Sequence, residues 1–327
     1  MLDLGVVILC KDESRHLERL LPKLNEMGAK AFVVDSISTD GSVQLARSLG
    51  AHVAVHPFVS YAQQFDWALN SLPFDAQWVM RLDADEVLTP ELVAEIQERL
   101  PLLPQDVTGV NLKRRHIFLG RWIRHGGRYP LTLLRIWRKG AAQIEQRWMD
   151  EHMTLRYGRA VTFEHDFADH NLNDLTFFTN KHNRYATNEA IDVLMARYDL
   201  GGASDATMTT TNTPLQAAAK RLMKEHMYNR MPLWVGPLFY FLYRYFLRFG
   251  FLDGVEGLVY NFLQGFWYRF LVAAKVLEFD RQLRTLPSSA ERLRELARLT
   301  GKRVEQLAGR AQDFVRSATA AQAGQQA

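Results

Sequence analysis

The sequence predicts an α/β protein: a mostly parallel sheet flanked by helices, followed by an α-helical C-terminal region. Four short apolar runs alternate with stretches of helical spacing between Leu4 and Asp83. An acidic turn, Asp83-Ala84-Asp85-Glu86, closes the fourth run. Beyond a Gly/Thr/Ser-rich segment near residue 210, the chain becomes aromatic and basic. Alternating β and α units build parallel sheets through crossover connections.

Residues 4–9 (LGVVIL) are apolar throughout, as expected of a strand covered on both faces. Leu17, Leu20, Leu21, Leu24 and Met27 follow at helical spacing, with Pro22 expected to kink or restart that helix. Residues 31–34 form a second strand closed by Asp35. Ser38-Thr39-Asp40-Gly41-Ser42 then turns into a helix carrying Val43, Leu45, Ala46 and Leu49. Residues 52–55 are a third strand, 61–69 a helix and 78–83 a fourth strand. A short amphipathic helix spans the stretch from Pro90 to Pro101, and strands are expected over 107–119 and 131–137. A long helix is expected over 172–197.

The chain has 327 residues, enough for one large domain with an appendage. Its 47% hydrophobic and 23% charged content is ordinary for a folded protein. A net charge of +4 is too small to argue for nucleic acid as a partner. The single cysteine, Cys10, rules out an intrachain disulfide, fits a reducing compartment and reads as a small buried residue. No window offers about 18 uncharged apolar residues, so no clear transmembrane helix is expected.

The chemistry starts at the acidic turn. In open α/β sheets ligands collect beyond the carboxyl ends of the strands. Asp83 and Asp85 are hard oxygen donors, suited to Mg²⁺ or Mn²⁺ held jointly with substrate phosphates; the plain alternative is an acidic turn facing the next helix. A dinucleotide fold is disfavoured, because Cys10-Lys11-Asp12-Glu13-Ser14 stands where glycines must let the backbone approach a pyrophosphate. Asp35 reads either as a nucleoside contact or as a turn acid capping backbone N–H groups. Lys11 and Arg81 suit phosphate or an ion-paired surface role.

Taken together, VVILCKDES, FVVDSISTDGS and VMRLDADE resemble the nucleotide-binding half of inverting family 2 glycosyltransferases of GT-A fold. The order, spacing and strand context of the three motifs carry the resemblance, although Cys10-Lys11-Asp12-Glu13 departs from the family's T-x-N-E at its first and third positions. The resemblance implies a nucleotide-sugar donor, a UDP-sugar foremost, with Mn²⁺ or Mg²⁺ as cofactor. It places Asp35 at the base, Glu13 near the nucleoside, Asp83 at the ribose or sugar and Asp85 at the metal. It also sets the helix carrying Gln64 beside the donor. A haloacid dehalogenase-type phosphatase shares a D-x-D string. That family carries the string on its first strand, however, and needs a later Gly-Asp-x-x-x-Asp pair that this chain lacks. A catalytically silent membrane scaffold is the remaining alternative.

Downstream, residues 120–130 (GRWIRHGGRYP) join aromatic rings to guanidinium groups, a mixture suited to a sugar acceptor or an anionic group. In Arg147-Trp148-Met149-Asp150-Glu151-His152, the resemblance implies that Asp150 or Glu151 is the general base for the acceptor hydroxyl. His165 and His170 are expected to complete a Mn²⁺ site with Asp85, against the alternative of packed, hydrogen-bonded histidines.

The expected domains are a catalytic unit over 1–200, a helical membrane-associating region over 215–285, and a helical to disordered tail over 286–327. The segment 201–214 is the expected linker and 215–230 a basic helix. Residues 231–252 (MPLWVGPLFYFLYRYFLRFGFL) are too interrupted by arginine to span a bilayer but suit its interface, the alternative being a helical subdomain packed on the catalytic core or on a second subunit. The expected acceptor is a lipid-linked or cell-surface glycan, as in the bacterial surface-polysaccharide and lipopolysaccharide-core transferases that residues 121–275 resemble. The expected location is cytoplasmic, on the inner face of the plasma membrane.

Overall fold

The computed structural model describes residues 2–144, 152–200, 233–305 and 307. The chain divides into two compact units, Met1–Leu172 and Asn173–Ala327. In the first, β1 (Leu4–Cys10), β2 (Lys30–Asp35), β3 (His52–Val55) and β4 (Trp78–Asp83) alternate with α1 (Ser14–Met27), α2 (Ser42–Ser48) and α3 (Tyr61–Asn70). After β4 come β5 (Glu86–Leu88), α4 (Pro90–Arg99), β6 (Val107–Phe118), β7 (Arg121–Trp122) and β8 (Leu131–Arg138). β9 (Ala142–Ile144), β10 (Met153–Leu155) and β11 (Arg159–Asp169) complete the unit.

The main sheet runs β3-β2-β1-β4-β8-β6-β11-β5, with β7 folded back on β6. Its first half, β3 to β4, is wholly parallel as the alternation predicts. β8 then enters antiparallel to both β4 and β6, β11 runs parallel to β6, and β5 closes the edge antiparallel to β11. The result is a mixed sheet flanked by helices. Its continuous apolar strands follow from two covered faces. Leu4, Val6 and Ile8 pack with Leu17, Leu20, Leu21 and Leu24 of α1. The intervening Val7 packs with Phe65 and Ala68 of α3 and with Ile144 and Met153 of the β9-β10 ribbon.

Pro22 does not interrupt α1, which continues unbroken to Met27. The proline removes one helical hydrogen bond, but the four fully buried leucines fix that face against the sheet. Their burial, at about 1.5–3 kcal/mol each, outweighs a helix-interior proline's cost of about 3 kcal/mol. The helix ends where Gly28 takes φ 80°, letting its N–H reach back to Asn25.

The second unit corrects the expected domain boundary. The helix α5 (Leu175–Arg197), expected to close the first domain, belongs with the C-terminal helices. Ala190, Ile191 and Leu194 pack against Phe279, Leu283 and Leu296, and the Tyr198 hydroxyl donates to Asp280 Oδ1 at 2.7 Å. The expected linker and the basic helix 215–230 lie outside the described residues. In the tail, Ser288 caps a helix over Ser289–Thr300 through a reciprocal pairing with Glu291. No described helix is long and apolar enough to cross a membrane.

One carboxylate ties the first two βα turns together. Asp40 Oδ2 accepts from the Ser14 N–H at 2.9 Å, and Oδ1 accepts from the Ser42 N–H at 3.0 Å and its hydroxyl at 2.5 Å. Partial burial opposes the charge, but these donors outweigh it and hold the Asp40 carboxyl at about 2, below the usual 3.8. Because the folded value is depressed, the stabilisation is complete above 3.8 and is lost as pH falls through about 2. Asp40→Ala is expected to cost about 1 kcal/mol near neutral pH, a capping-sized loss already discounted for exposure. Urea titrations of both chains at falling pH check this: the gap between them should close on approaching pH 2.

Candidate active site

Strand order reverses between β1 and β4, so the carboxyl ends of β1, β2 and β4 open onto one crevice. The turns after β1 and β2 form one rim. Asp12, at φ 54°, accepts the Thr39 N–H on Oδ1 at 2.7 Å, while its own N–H donates to Ser38 Oγ at 2.7 Å. The Glu13 N–H donates to Ser42 Oγ at 2.9 Å, and Lys11 Nζ is engaged by the Ile37 carbonyl. Burial pushes the Cys10 thiol at the end of β1 up to about 12, which suits a packing residue and not a nucleophile.

Asp35 lies buried at the end of β2. Its Oδ1 accepts from the Ser38 N–H at 2.8 Å, whereas its buried Oδ2 has no hydrogen-bond partner among the described residues. The turn-capping reading of Asp35 therefore accounts for one oxygen and leaves the other for a ligand. Gln64 is placed under the same rim with its amide occupied by the protein: Nε2 donates to Ser36 Oγ at 3.2 Å and to the His56 carbonyl at 3.0 Å, and Oε1 meets His56 Nδ1 at 2.7 Å. It braces the loops around Asp35. Glu13 pairs with His16 Nδ1, and His16 Nε2 accepts the Leu172 N–H at 2.9 Å. That pattern assigns the His16 proton to Nδ1.

The acidic turn is organised by residues the sequence reading did not single out. β4 ends at Asp83, and a turn at Ala84 and Asp85 carries the chain into β5. Glu86 is buried. Its Oε1 accepts from Arg135 Nη2 of β8 at 2.6 Å, and its Oε2 accepts the Asp83 N–H at 2.9 Å. Burial pushes the Glu86 carboxyl upward, Arg135 pulls it down, and the neighbouring Asp83 charge adds to the rise. Asp83 Oδ1 accepts the Tyr61 hydroxyl at 2.6 Å, with Arg81 Nε 3.8 Å away, and Arg135 Nη2 lies 4.0 Å from Oδ2. Burial opposes the Asp83 charge, but Arg81, Arg135 and the Tyr61 hydroxyl outweigh it, and the carboxyl lies below its ordinary range. Burial and the Asp83 charge raise the Tyr61 phenol, which therefore stays a donor.

Asp85 is held from the other side. Its Oδ2 accepts Asn171 Nδ2 at 2.8 Å, and its carbonyl accepts from the His170 N–H at 3.0 Å and from Arg19 Nη2 at 3.2 Å. His170 Nδ1 lies 3.2 Å from Arg19 Nη1, and burial followed by the Arg19 charge lowers its pKa. The His170 backbone is thus paired with that of Asp85, while its ring meets Arg19. His165 is not brought there: its ring faces Glu95 Oε2 of α4 at 2.9 Å. It lies five residues back along β11, on the order of 16 Å at strand rise. No three His, Cys, Asp or Glu side chains among the described residues converge as a metal-holding group, so the expected three-residue site is corrected. A hard cation bound through one or two carboxylates plus substrate phosphates needs no such cage, and the Asp85 carboxylate fits that role. Asp150 and Glu151 lie outside the described residues.

Beside the acidic turn, the Asp169 carboxylate meets His116 Nδ1 at 3.1 Å and Arg114 Nη1 at 3.7 Å. Further along, Asp166 accepts from Arg115 Nε at 2.7 Å and from the Tyr129 hydroxyl at 3.0 Å. Arg115 and Arg124 lie over the Trp122 ring at 4.7 and 5.4 Å. The residues 120–130 are therefore built around an aromatic and guanidinium cluster. An Arg or His paired across strands with an Asp 50 residues away leaves no signal in local spacing.

Fold and crevice define a class: α/β proteins that take ligand at the carboxyl ends of a parallel half-sheet. The profile of Glycosyl transferase family 2 matches residues 5–170, just over half of the 327. The chain belongs to that family and is a glycosyltransferase, which sets aside the phosphatase and scaffold alternatives. It is 24% identical over 298 residues to an uncharacterized glycosyltransferase of Rickettsia typhi, covering 88% of this chain and 91% of that one. An uncharacterized glycosyltransferase of Rickettsia bellii is 37% identical over 94 residues, 29% of this chain and 31% of its own. The chain thus spans most of the first relative but under a third of the second.

Among solved structures, glucosyl-3-phosphoglycerate synthase from Mycobacterium tuberculosis, in complex with Mn²⁺, UDP and glucosyl-3-phosphoglycerate, is 20% identical. It overlaps 35% of this chain and 43% of its own at a TM-score of 0.29. Mannosyl-3-phosphoglycerate synthase from Rubrobacter xylanophilus is 17% identical over 42% and 54%, at 0.32. At those scores the overlaps say nothing about substrate.

Two substitutions separate geometry from chemistry. Glu86→Ala leaves Arg135 buried without its carboxylate and is expected to cost about 3–5 kcal/mol of stability by urea unfolding. Tyr61→Phe removes one charge-assisted hydrogen bond to Asp83. It is expected to lower turnover about tenfold, with the unfolding midpoint nearly unchanged, by steady-state kinetics on the same sample.

Proposed function

We propose that the enzyme transfers one sugar, with inversion, from a UDP-sugar to a lipid-linked or cell-surface glycan acceptor at a membrane face. The observation that carries the donor reading is the unpartnered, buried Oδ2 of Asp35 at the end of β2. An ionised carboxylate only accepts, so it suits a base that presents a ring N–H, as uracil does. In this reading Glu13 fixes the rim near the nucleoside through His16, and Asp83 accepts from a ribose or sugar hydroxyl. Asp85, with His170 beside it, would hold Mn²⁺ or Mg²⁺, and that cation would supply positive charge to stabilise the departing nucleotide. Asp150 or Glu151 takes the acceptor hydroxyl's proton as that oxygen attacks the anomeric carbon and the bond to UDP breaks on the opposite face. The aromatic and arginine cluster around Trp122 suits the acceptor. The apolar surface of the second unit, with Trp234, Phe239, Phe246 and Phe262 exposed, supports a membrane location.

Calorimetric titration with a panel of nucleotides and nucleotide-sugars, with Mn²⁺ and then with EDTA, tests this. Metal-dependent binding of UDP or one UDP-sugar is expected, reduced more than tenfold in Asp85→Ala and with uridine preference relaxed in Asp35→Ala. Absence of nucleotide binding under both conditions would overturn the assignment of Asp35 and Asp85.

A further inference from the structure

Over residues 235–267 of the second unit, the usual distribution of polar and apolar side chains is inverted. A helix over Val235–Leu242 continues as a wider π-helical turn, Tyr243–Leu247. The chain then reverses through Gly250–Asp253 and returns as a helix, Gly254–Asn261, followed by a second π-helical turn, Phe262–Trp267. The polar residues are inside: Arg244 is 4% exposed, Asp253 2% and Asn261 0%. The large apolar residues are outside: Phe239 is 63% exposed, Leu247 71% and Val255 72%. Further exposed apolar residues continue along both helices and around the reversal, at Phe246, Phe251, Leu252 and Leu258.

The contacts between the two arms repeat the inversion. A Cβ on Gly250 would lie 2.7 Å from Asn261 Nδ2 and 2.9 Å from the Arg244 carbonyl. One on Gly257 would lie 2.6 Å from the Asp253 Cβ and 2.7 Å from the Gly250 carbonyl. Across the arms the Arg244 guanidinium lies over Tyr260 at 5.5 Å; within the arms it lies over Tyr240 at 5.7 Å, and Asn261 Nδ2 donates to the Gly257 carbonyl at 2.8 Å. Backbones brought together at glycine, polar groups turned inward and apolar groups turned outward are the arrangement adopted where the surroundings are hydrocarbon.

We infer that residues 235–267 form a re-entrant hairpin inserted into one leaflet of a phospholipid bilayer, anchoring the enzyme monotopically. This rests on the membrane reading above and extends it from contact to insertion. The first arm, 13 residues from Val235 to Leu247, is on the order of 20 Å long. That is too short to span the hydrocarbon core of about 30 Å but enough to reach its middle. A fluid apolar solvent covers both arms and the reversal at once, whereas one flat face of a second protein covers only the side it meets. Exposed Arg269, just beyond the end of the second arm, carries charge suited to snorkelling to lipid phosphates.

The full-length chain provides the test, because its only native cysteine, Cys10, is buried. Val255→Cys, labelled with the fluorophore NBD, is mixed with vesicles of phosphatidylcholine and phosphatidylglycerol carrying nitroxides at the headgroup or deep in the acyl chain. The expected result is a blue-shifted emission quenched more by the deep nitroxide, with vesicle flotation persisting in molar salt. Leu247→Glu should lower the vesicle-bound fraction about tenfold or more. Stronger headgroup quenching with release by salt would overturn insertion, and so would a blue shift that follows protein concentration without vesicles. Nucleotide binding, titrated on the same samples, reports the catalytic unit separately. Its retention in Leu247→Glu shows that the variant is folded, and its absence in every sample alongside deep quenching would sink the donor-site reading while leaving the hairpin standing.

Discussion

The crevice depends on the buried pair between Arg135 and Glu86. Four carboxylates crowd this end of the sheet: Asp83, Asp85, Glu86 and, across the β5–β11 pairing, Asp169. Like charges that close repel and hinder one another's ionisation. Arg135 meets Glu86 at 2.6 Å and stands 4.0 Å from Asp83, while Arg81 and Arg114 approach Asp83 and Asp169 from their flanks. Buried ion pairs are weak sources of net stability but strong determinants of local geometry when further hydrogen bonds complete them. Here Glu86 completes the set by accepting the Asp83 N–H, so one side chain fixes the turn while its cation offsets the charge. The antiparallel strand β8 is needed for this, because it carries Arg135 next to β4.

A second constraint works through α1. Glu13, His16 and Arg19 recur at three-residue spacing, so they share one side of the helix. His16 accepts from the Leu172 backbone, and Arg19 donates to the Asp85 and His170 carbonyls at 3.2 and 2.8 Å. The helix that opens the fold thereby positions the segment that closes the first unit, bringing Asn171 onto Asp85. Glu13 and Asp85 are thereby mechanically linked through that helix face, although they lie 72 residues apart in the chain.

The parallel half of the sheet was legible because each strand is a local pattern. The runs ending at Cys10, Asp35 and Asp83 announce themselves by composition, and the acids fall where the strands stop. The antiparallel half was only partly legible. β5 and the β9-β10 ribbon are three-residue strands set by pairing and not by periodicity. β11 carries Glu164, His165, Asp166 and Asp169, a polar composition that reads as a ligand cluster until pairing with β6 and β5 makes it a strand. For the same reason His165 looked like a metal ligand, when its partner Glu95 sits 70 residues earlier. Asp35 and Asp85 were found by motif context. Tyr61 and Arg135 were not, since only the packed sheet brings them to Asp83.

Unsatisfied polar groups at the crevice bear on how it meets its ligand. The buried Asp35 Oδ2 and the buried Arg135 Nε and Nη1 have no hydrogen-bond partners among the described residues. Each such group costs about 1–3 kcal/mol in the folded chain, and more where it is charged. Folds retain this cost mainly at functional positions, where the rest of the structure holds the groups in place. A ligand that donated to Asp35 and accepted from Arg135 would recover that free energy. A ligand that merely fills the space does not recover it. Such a match would give selectivity as well as affinity, because a carboxylate and a guanidinium reject partners of the wrong polarity by leaving buried groups unpaired. It also couples occupancy to stability, since whatever binds only the folded state stabilises it by mass action.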